Sequence, residues 1–246
     1  MIKVDPITLS VVRGVLETTQ REMTLSLEKT ARSSVLNLAR DYSTSLFNAT
    51  PEMILQGQDI PIHLGSLMPA MKAVANFFSN DIHEGDLILH NDPAYNGSHI
   101  LDMCIYKPVF FEGKHVFWTV CKGHLTDAGG PVPASYNPEA TEIFAEGLRV
   151  PPIKLWEKGK QRDDILNMIL TNMRARRNQE GDFKALIGAC QLGEKNLINL
   201  INKYGLEKVN LCIDELLSMA EKHMRVLIKQ IPNVTYAGTA TLEDAG

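Results

Sequence analysis

Cysteine is scarce in this 246-residue chain: there are four, with no C-x-x-C spacing among them. Cys104, Cys121, Cys190 and Cys212 sit inside apolar segments, so buried free thiols and a reducing compartment are expected. A disulfide between Cys104 and Cys121 across a hairpin is the alternative that spacing leaves open. No basic stripe runs along the chain, whose formal net charge is −4. The run Arg174-Ala175-Arg176-Arg177 reads as a solvated helix end, and no nucleic-acid partner is expected. No apolar run is long enough to cross a bilayer and no signal-peptide pattern precedes Asp5, which points to a cytoplasmic protein without a membrane partner. The phosphate loops G-x-x-x-x-G-K-S/T and G-x-G-x-x-G are also missing, which excludes the common nucleotide-binding signatures. What remains, 44% hydrophobic and 22% charged, is ordinary globular composition, long enough for one large core or two modest ones.

Against this background the chain concentrates imidazole and carboxylate. His90-Asn91-Asp92-Pro93-Ala94-Tyr95-Asn96-Gly97-Ser98-His99-Ile100-Leu101-Asp102 and Lys122-Gly123-His124-Leu125-Thr126-Asp127-Ala128-Gly129-Gly130 hold three His and three Asp between them. The segment in between reads as a β-hairpin. Residues 103–110 and 115–121 are rich in β-branched and aromatic types, with Phe111-Glu112-Gly113-Lys114 as the turn. A register centred near Gly113 sets Asp102 opposite His124, with Cβ atoms roughly 5 Å apart. A slip of one residue would turn the two to opposite faces. Gly97 allows a turn that swings His99 back toward Asp102. Three such ligands plus water suffice for an open zinc, manganese or iron site. The competing reading makes the same residues loop groups that bond turn backbones.

The rest of the chain punctuates clearly. Asp5-Pro6 starts a helix, with Asp as N-cap. Val11, Val12, Val15, Leu16, Thr19, Met23 and Leu27 follow at helical spacing for about five or six turns. Asp41 to Phe47 is a short strand-like alternation, Ser66 to Phe78 a helix capped by Ser66, and Asp86 to His90 a buried strand. Helices follow near Asp163–Met173, Asp182–Tyr204 and Leu206–Ile231, with Gly188 and Gly193 in the middle one pointing to close packing. The predicted fold is α+β: a mixed sheet with a β-hairpin core in the first part and a helical layer in the second. The expected parts are 1–156, an α/β metal-site region; 157–232, a helical region packed on it; and 233–246, the start of a β-rich segment whose remainder is missing.

Several stretches are similar to the B subunits of the hydantoinase and oxoprolinase family, which includes the corresponding subunits of acetone and acetophenone carboxylases and of caprolactamase. They are Asp5-Pro6-Ile7-Thr8, Gly57 to Ser66, Asn91-Asp92-Pro93 through Gly97 to Asp102, His124 to Gly130, Glu146 to Leu155, Asn172-Met173-Arg174 and Gly181-Asp182. Pro93-Ala94-Tyr95-Asn96-Gly97 replaces a commoner tyrosine-and-double-glycine loop. Family B subunits are also longer than this chain.

The resemblance implies metal ligation by Asp41, His99, Asp102 and His124, with Asp41 resting on it alone. It implies a divalent metal, zinc or manganese and otherwise iron, and a partner: a hydantoinase A-like ATPase subunit in a hetero-oligomer, which holds the ATP. Three further residues are candidates for catalysis. Asp127 is placed to orient an imidazole or act as a base, or to cap the Gly129-Gly130 turn. His63 faces the cavity or is a structural histidine. Arg149 holds an anionic group bidentately or forms a salt bridge. The implied activity is ATP-dependent hydrolysis of a cyclic amide such as a hydantoin, oxoproline or lactam. The alternatives are ATP-dependent carboxylation of a ketone and a non-catalytic assembly role.

Overall fold

The computed structural model describes residues 4–241. Helix α1 (Pro6–Thr30) starts as expected, the Asp5 side chain accepting from the Thr8 amide at 2.8 Å. It runs 25 residues, longer than expected, and buries Val12, Leu16, Thr19, Met23 and Leu27. A single turn, α2 (Ser34–Asn37), leads into strands β1 (Tyr42–Asn48) and β2 (Met53–Gln56). Helix α3 (Ile62–Phe77) and strand β3 (Leu87–His90) precede the hairpin of β4 (Asp102–Phe111) and β5 (Lys114–His124). Strands β6 (Ile153–Glu157) and β7 (Lys160–Gln161) then give way to helices α4 (Asp163–Thr171), α5 (Arg176–Tyr204) and α6 (Leu206–Lys229).

The seven strands form one sheet in the order β2-β1-β5-β4-β3-β6-β7. The α+β class holds, but every pairing is antiparallel, where a mixed sheet was expected. Hairpins join β1 to β2, β4 to β5 and β6 to β7 as antiparallel neighbours, and α3 carries the chain over one face of the sheet from β2 to β3. Helix α3 covers one face, packing Leu67, Met71 and Val74 on Ile88, Tyr106, Trp118 and Val120. Helices α1 and α5 cover the other, against Leu46, Met103, Ile105 and Cys121. With both faces covered, β1 is buried at nearly every position, and its expected alternation of buried and exposed residues is absent.

The hairpin places Asp102 opposite His124, as expected. The turn itself is tighter than expected, with Glu112 and Gly113 both at positive φ, as a two-residue turn of type I′ requires. Pairing Phe111 with Lys114 would carry Gly123 to Asp102 if the strands ran without irregularity. A bulge between Val109 and Phe110 supplies the one-residue correction. The same register puts Cys104 opposite Lys122 and Cys121 opposite Ile105, so the two thiols lie on different faces. All four cysteines are free and buried, and the Cys104–Cys121 disulfide is excluded.

Two helix starts differ from expectation. Helix α3 begins four residues before Ser66, whose hydroxyl donates to the His63 carbonyl rather than capping the helix. Helix α5 begins six residues before Asp182, because that carboxylate faces across the core and accepts the Arg32 and Ser33 amides at 2.7 and 3.0 Å. Residues 234–241 form neither helix nor strand, and Leu242 to Gly246 lie outside the described residues.

Candidate metal centre

The site forms where the hairpin ends on the α3 side of the sheet. Even-numbered residues of β4 and β5 face α3 there, which brings Asp102, Lys122 and His124 onto one surface. The loop before β4 turns back at Gly97, where a Cβ would stand 2.3 Å from the Asn91 carbonyl oxygen. No residue but glycine fits this turn. His99 then reaches Asp102 with Nε2 at 3.0 Å from Oδ1, while His124 Nδ1 lies 3.3 Å from the same oxygen. Asp41, just before β1, sets its Oδ2 3.7 Å from His124 Nδ1.

These separations test whether a metal fits. Donors at ordinary zinc bond lengths around a tetrahedral ion stand about 3.4 Å from one another. The observed 3.0, 3.3 and 3.7 Å bracket that value, and single donor atoms of His99, Asp102 and His124 all lie within 4.8 Å of one another. The donor set, two imidazoles with one or two carboxylates, suits a borderline divalent ion. Asp102 is buried while the His99 side chain is 46% exposed, so the cluster has a closed inner side and an open outer one.

The electrostatics follow from this asymmetry. Burial pushes the Asp102 carboxyl up, but bonds from His124, His63 and His99 and the charge of Lys122 outweigh it and hold the group ionised, well below the usual carboxylate range. The bond to Asp102 raises His99 in turn. On the inner side, His63 Nδ1 meets Ser43 Oγ at 2.9 Å and Nε2 stands 3.6 Å from Asp102 Oδ2. Lys122, which sequence reasoning did not single out, is buried against the same Oδ2 at 3.1 Å. A signal for it existed: a lysine inside an apolar strand, two residues before His124 and therefore on its face.

The other two candidates are engaged elsewhere. Asp127 accepts from the Gly129 amide at 2.9 Å and from Arg174 Nη1 at 2.8 Å, with no bond to either site histidine. Arg149 binds Asp92 through three contacts of 2.9, 3.0 and 3.2 Å. Asn91 ties the same loops together, bonding the Ile100 and Leu148 carbonyls and the Val150 amide. Much of the motif around the cluster therefore holds loops in place. On the open side, His99 and His124 line a cavity of about 700 Å³ with an apolar wall of Val35, Ile100, Leu101 and Leu125. Tyr136, Asn137 and Glu146 also line it, and among the described residues of this lining there is no Lys or Arg.

An antiparallel sheet between helical layers, with a His–Asp–His cluster at the end of its central hairpin, defines a candidate metalloprotein, with one such cluster among the described residues. The chain belongs to the hydantoinase B/oxoprolinase family, whose description matches residues 5–246. It is 67% identical over 246 residues to the beta subunit of the caprolactamase of Pseudomonas jessenii, a match covering 100% of this chain and 42% of that protein. The B subunit of a putative D-/L-hydantoinase from a Pseudomonas species is 30% identical over 98% of this chain and 42% of its own length. The chain thus spans about two fifths of these relatives. The crystal structure of the ATP-dependent caprolactamase from Pseudomonas jessenii superposes with a TM-score of 0.94, covering 99% of this chain and 42% of that one. A nucleotide-free acetone carboxylase superposes with a TM-score of 0.79 at 22% identity, over 85% of this chain and 28% of that one, and shares the fold. No helix among the described residues is long and apolar enough to cross a membrane.

Proposed function

We propose that this protein carries the metal centre of a B-type subunit in an ATP-dependent amidohydrolase whose substrate is an uncharged cyclic amide. The observation that carries the proposal is the His99–Asp102–His124 cluster opening onto a cavity whose described lining is apolar on one wall and carries no cationic side chain. Asp41, His99, Asp102 and His124 would hold a divalent ion, which when bound polarises a carbonyl oxygen or lowers the pKa of water. Val35, Ala134 and the ring of Tyr136 would take the methylene face of a lactam ring, and Asn137 would meet its amide. His63 holds Asp102 from behind, and Asp127 and Arg149 keep the loops of the cavity rim in place. The ATP chemistry is assigned to an A-type ATPase subunit, since the chain has no phosphate loop.

The 67% identity to a caprolactamase chain makes caprolactam the first substrate to try. Oxoproline bears a carboxylate, for which this lining offers no Lys or Arg. Carboxylation of a ketone would draw on the same residues and ranks second, since the acetone carboxylase likeness is one of fold. The test is ATP hydrolysis by this protein together with a hydantoinase A-type subunit. Caprolactam should stimulate it with release of the ring-opened amino acid, and 5-oxoproline should do so far less. Bicarbonate-dependent consumption of acetone, with no lactam hydrolysis, would contradict the assignment.

A further inference from the structure

Among the described residues, Lys122 is the one ammonium buried in the site, its side chain 3% exposed. A buried cation is tolerated only where acceptors surround it, and an ammonium has three donors to place. Here they go to Ser66 Oγ at 2.9 Å, to Asp102 Oδ2 at 3.1 Å and to Ser98 Oγ. The Ser98 hydroxyl donates in its turn to Asp102 Oδ2, and His63 Nε2 stands 3.6 Å from that oxygen. Oδ1 has a different company: it faces His99 Nε2 at 3.0 Å and His124 Nδ1 at 3.3 Å. One carboxylate is divided between an inner oxygen held by hydroxyl and ammonium groups and an outer oxygen held by the two imidazoles.

We propose that Lys122, acting with Ser98, is a positioning residue that occupies Oδ2 of Asp102 and so limits this carboxylate to a single metal bond through Oδ1. The inference rests on the metal-centre reading above. A free carboxylate binds divalent ions through one oxygen or both, and a site that must admit substrate has to keep a position open. Holding Oδ2 away keeps that position from being filled by the protein itself. The charge count points the same way. Asp41 and Asp102 together would cancel a divalent ion, and Lys122 returns one positive charge to the site, which favours an anionic oxygen in the open position.

The experiment is a cobalt titration of the 246-residue chain, of Lys122→Met and of Ser98→Ala. Visible absorption reads the coordination number, equilibrium dialysis counts bound cobalt, and circular dichroism checks the fold. The parent should bind cobalt with the moderately intense bands of a five-coordinate ion, four protein donors and one open position taken by water. Lys122→Met should bind it with the loss of those bands that a second carboxylate oxygen brings, and Ser98→Ala should lose intensity in the same direction. If Lys122→Met does not fold, Ser98→Ala decides alone, since Ser98 sits on an exposed loop. Parent-like bands in the folded variants overturn the positioning role and leave the metal centre standing. A parent that binds no cobalt overturns both.

Discussion

At the scale of single residues, His99, Asp102 and His124 could be read from the sequence because a hairpin fixes which residues oppose. Their helpers were legible only in part: His63 was a candidate and Lys122 left a signal as a lysine inside an apolar strand, but nothing local says which of two oxygens a buried lysine will hold. Asp127 carries two readings in the sequence, a base or imidazole partner and a cap for the Gly129-Gly130 turn, and its bonds are those of the cap, with Arg174, 47 positions away, added to it. Asp127→Asn should therefore cost roughly 1–3 kcal/mol of stability by loosening a charged hydrogen-bond set, while bound metal stays at the parent level. A denaturant titration beside a metal count checks this, and metal loss without destabilisation would give Asp127 back a role at the centre.

His90 supplies a pH dependence away from the cluster. Its ring is 1% exposed against Tyr106, and burial pushes it from 6.5 down to about 4. Between those values the unfolded chain binds the proton and the folded one does not, so stability rises with pH across the window. The contribution is complete above about 6.5 and is lost as pH falls toward 4, a difference on the order of 3 kcal/mol. His90→Phe should flatten the stability profile between these limits in a chemical-denaturation series. An unchanged slope would assign the acid sensitivity to another group.

At the scale of elements, the hairpin shows both what a pattern carries and what it hides. Segments rich in β-branched and aromatic residues on either side of Gly113 give two strands and their approximate register. The bulge at Val109 and Phe110, which makes that register correct at the site, leaves no mark in composition. Helix starts fail for a related reason: Ser66 as a cap and Asp182 as a first residue are good starts locally, and both are drawn to partners on other elements. The two glycines of α5 separate on the same ground. A Cβ at Gly193 would meet Met23 Sδ at 2.5 Å and Thr119 Cγ2 at 2.9 Å, whereas one at Gly188 meets nothing within 4 Å. Gly193→Ala should thus destabilise by about 1–3 kcal/mol through overpacking between α1 and α5. Gly188→Ala should stabilise by about 0.5–1 kcal/mol through helix propensity. Thermal melts of the pair check the sign at each position, and equal effects would deny the close packing assigned to Gly193.

At the scale of the molecule, the α+β class was legible because the strand-rich stretch up to residue 161 and the helical stretch after it differ in period. The antiparallel order of the sheet was not, since it depends on which edges β2 and β6 take. Placing helices on both faces explains why the site has a closed side: α3 sets His63 against the inner oxygen of Asp102 and Ser66 against the Lys122 ammonium that holds it, and only the loop side stays open. The missing phosphate loop is likewise a whole-chain property, and the purified chain should show no sustained ATP hydrolysis. Turnover that survives repurification would place the ATP chemistry in this chain rather than in a partner.

The central claim is that this cluster holds a metal. The measurement that tests it most directly is the zinc, manganese and iron content of the purified protein by mass spectrometry, beside His99→Ala, Asp102→Asn and His124→Ala. Close to one divalent ion per chain in the parent, lost in all three folded variants, is the result predicted. A folded parent that takes up no ion when any of the three metals is supplied would contradict it.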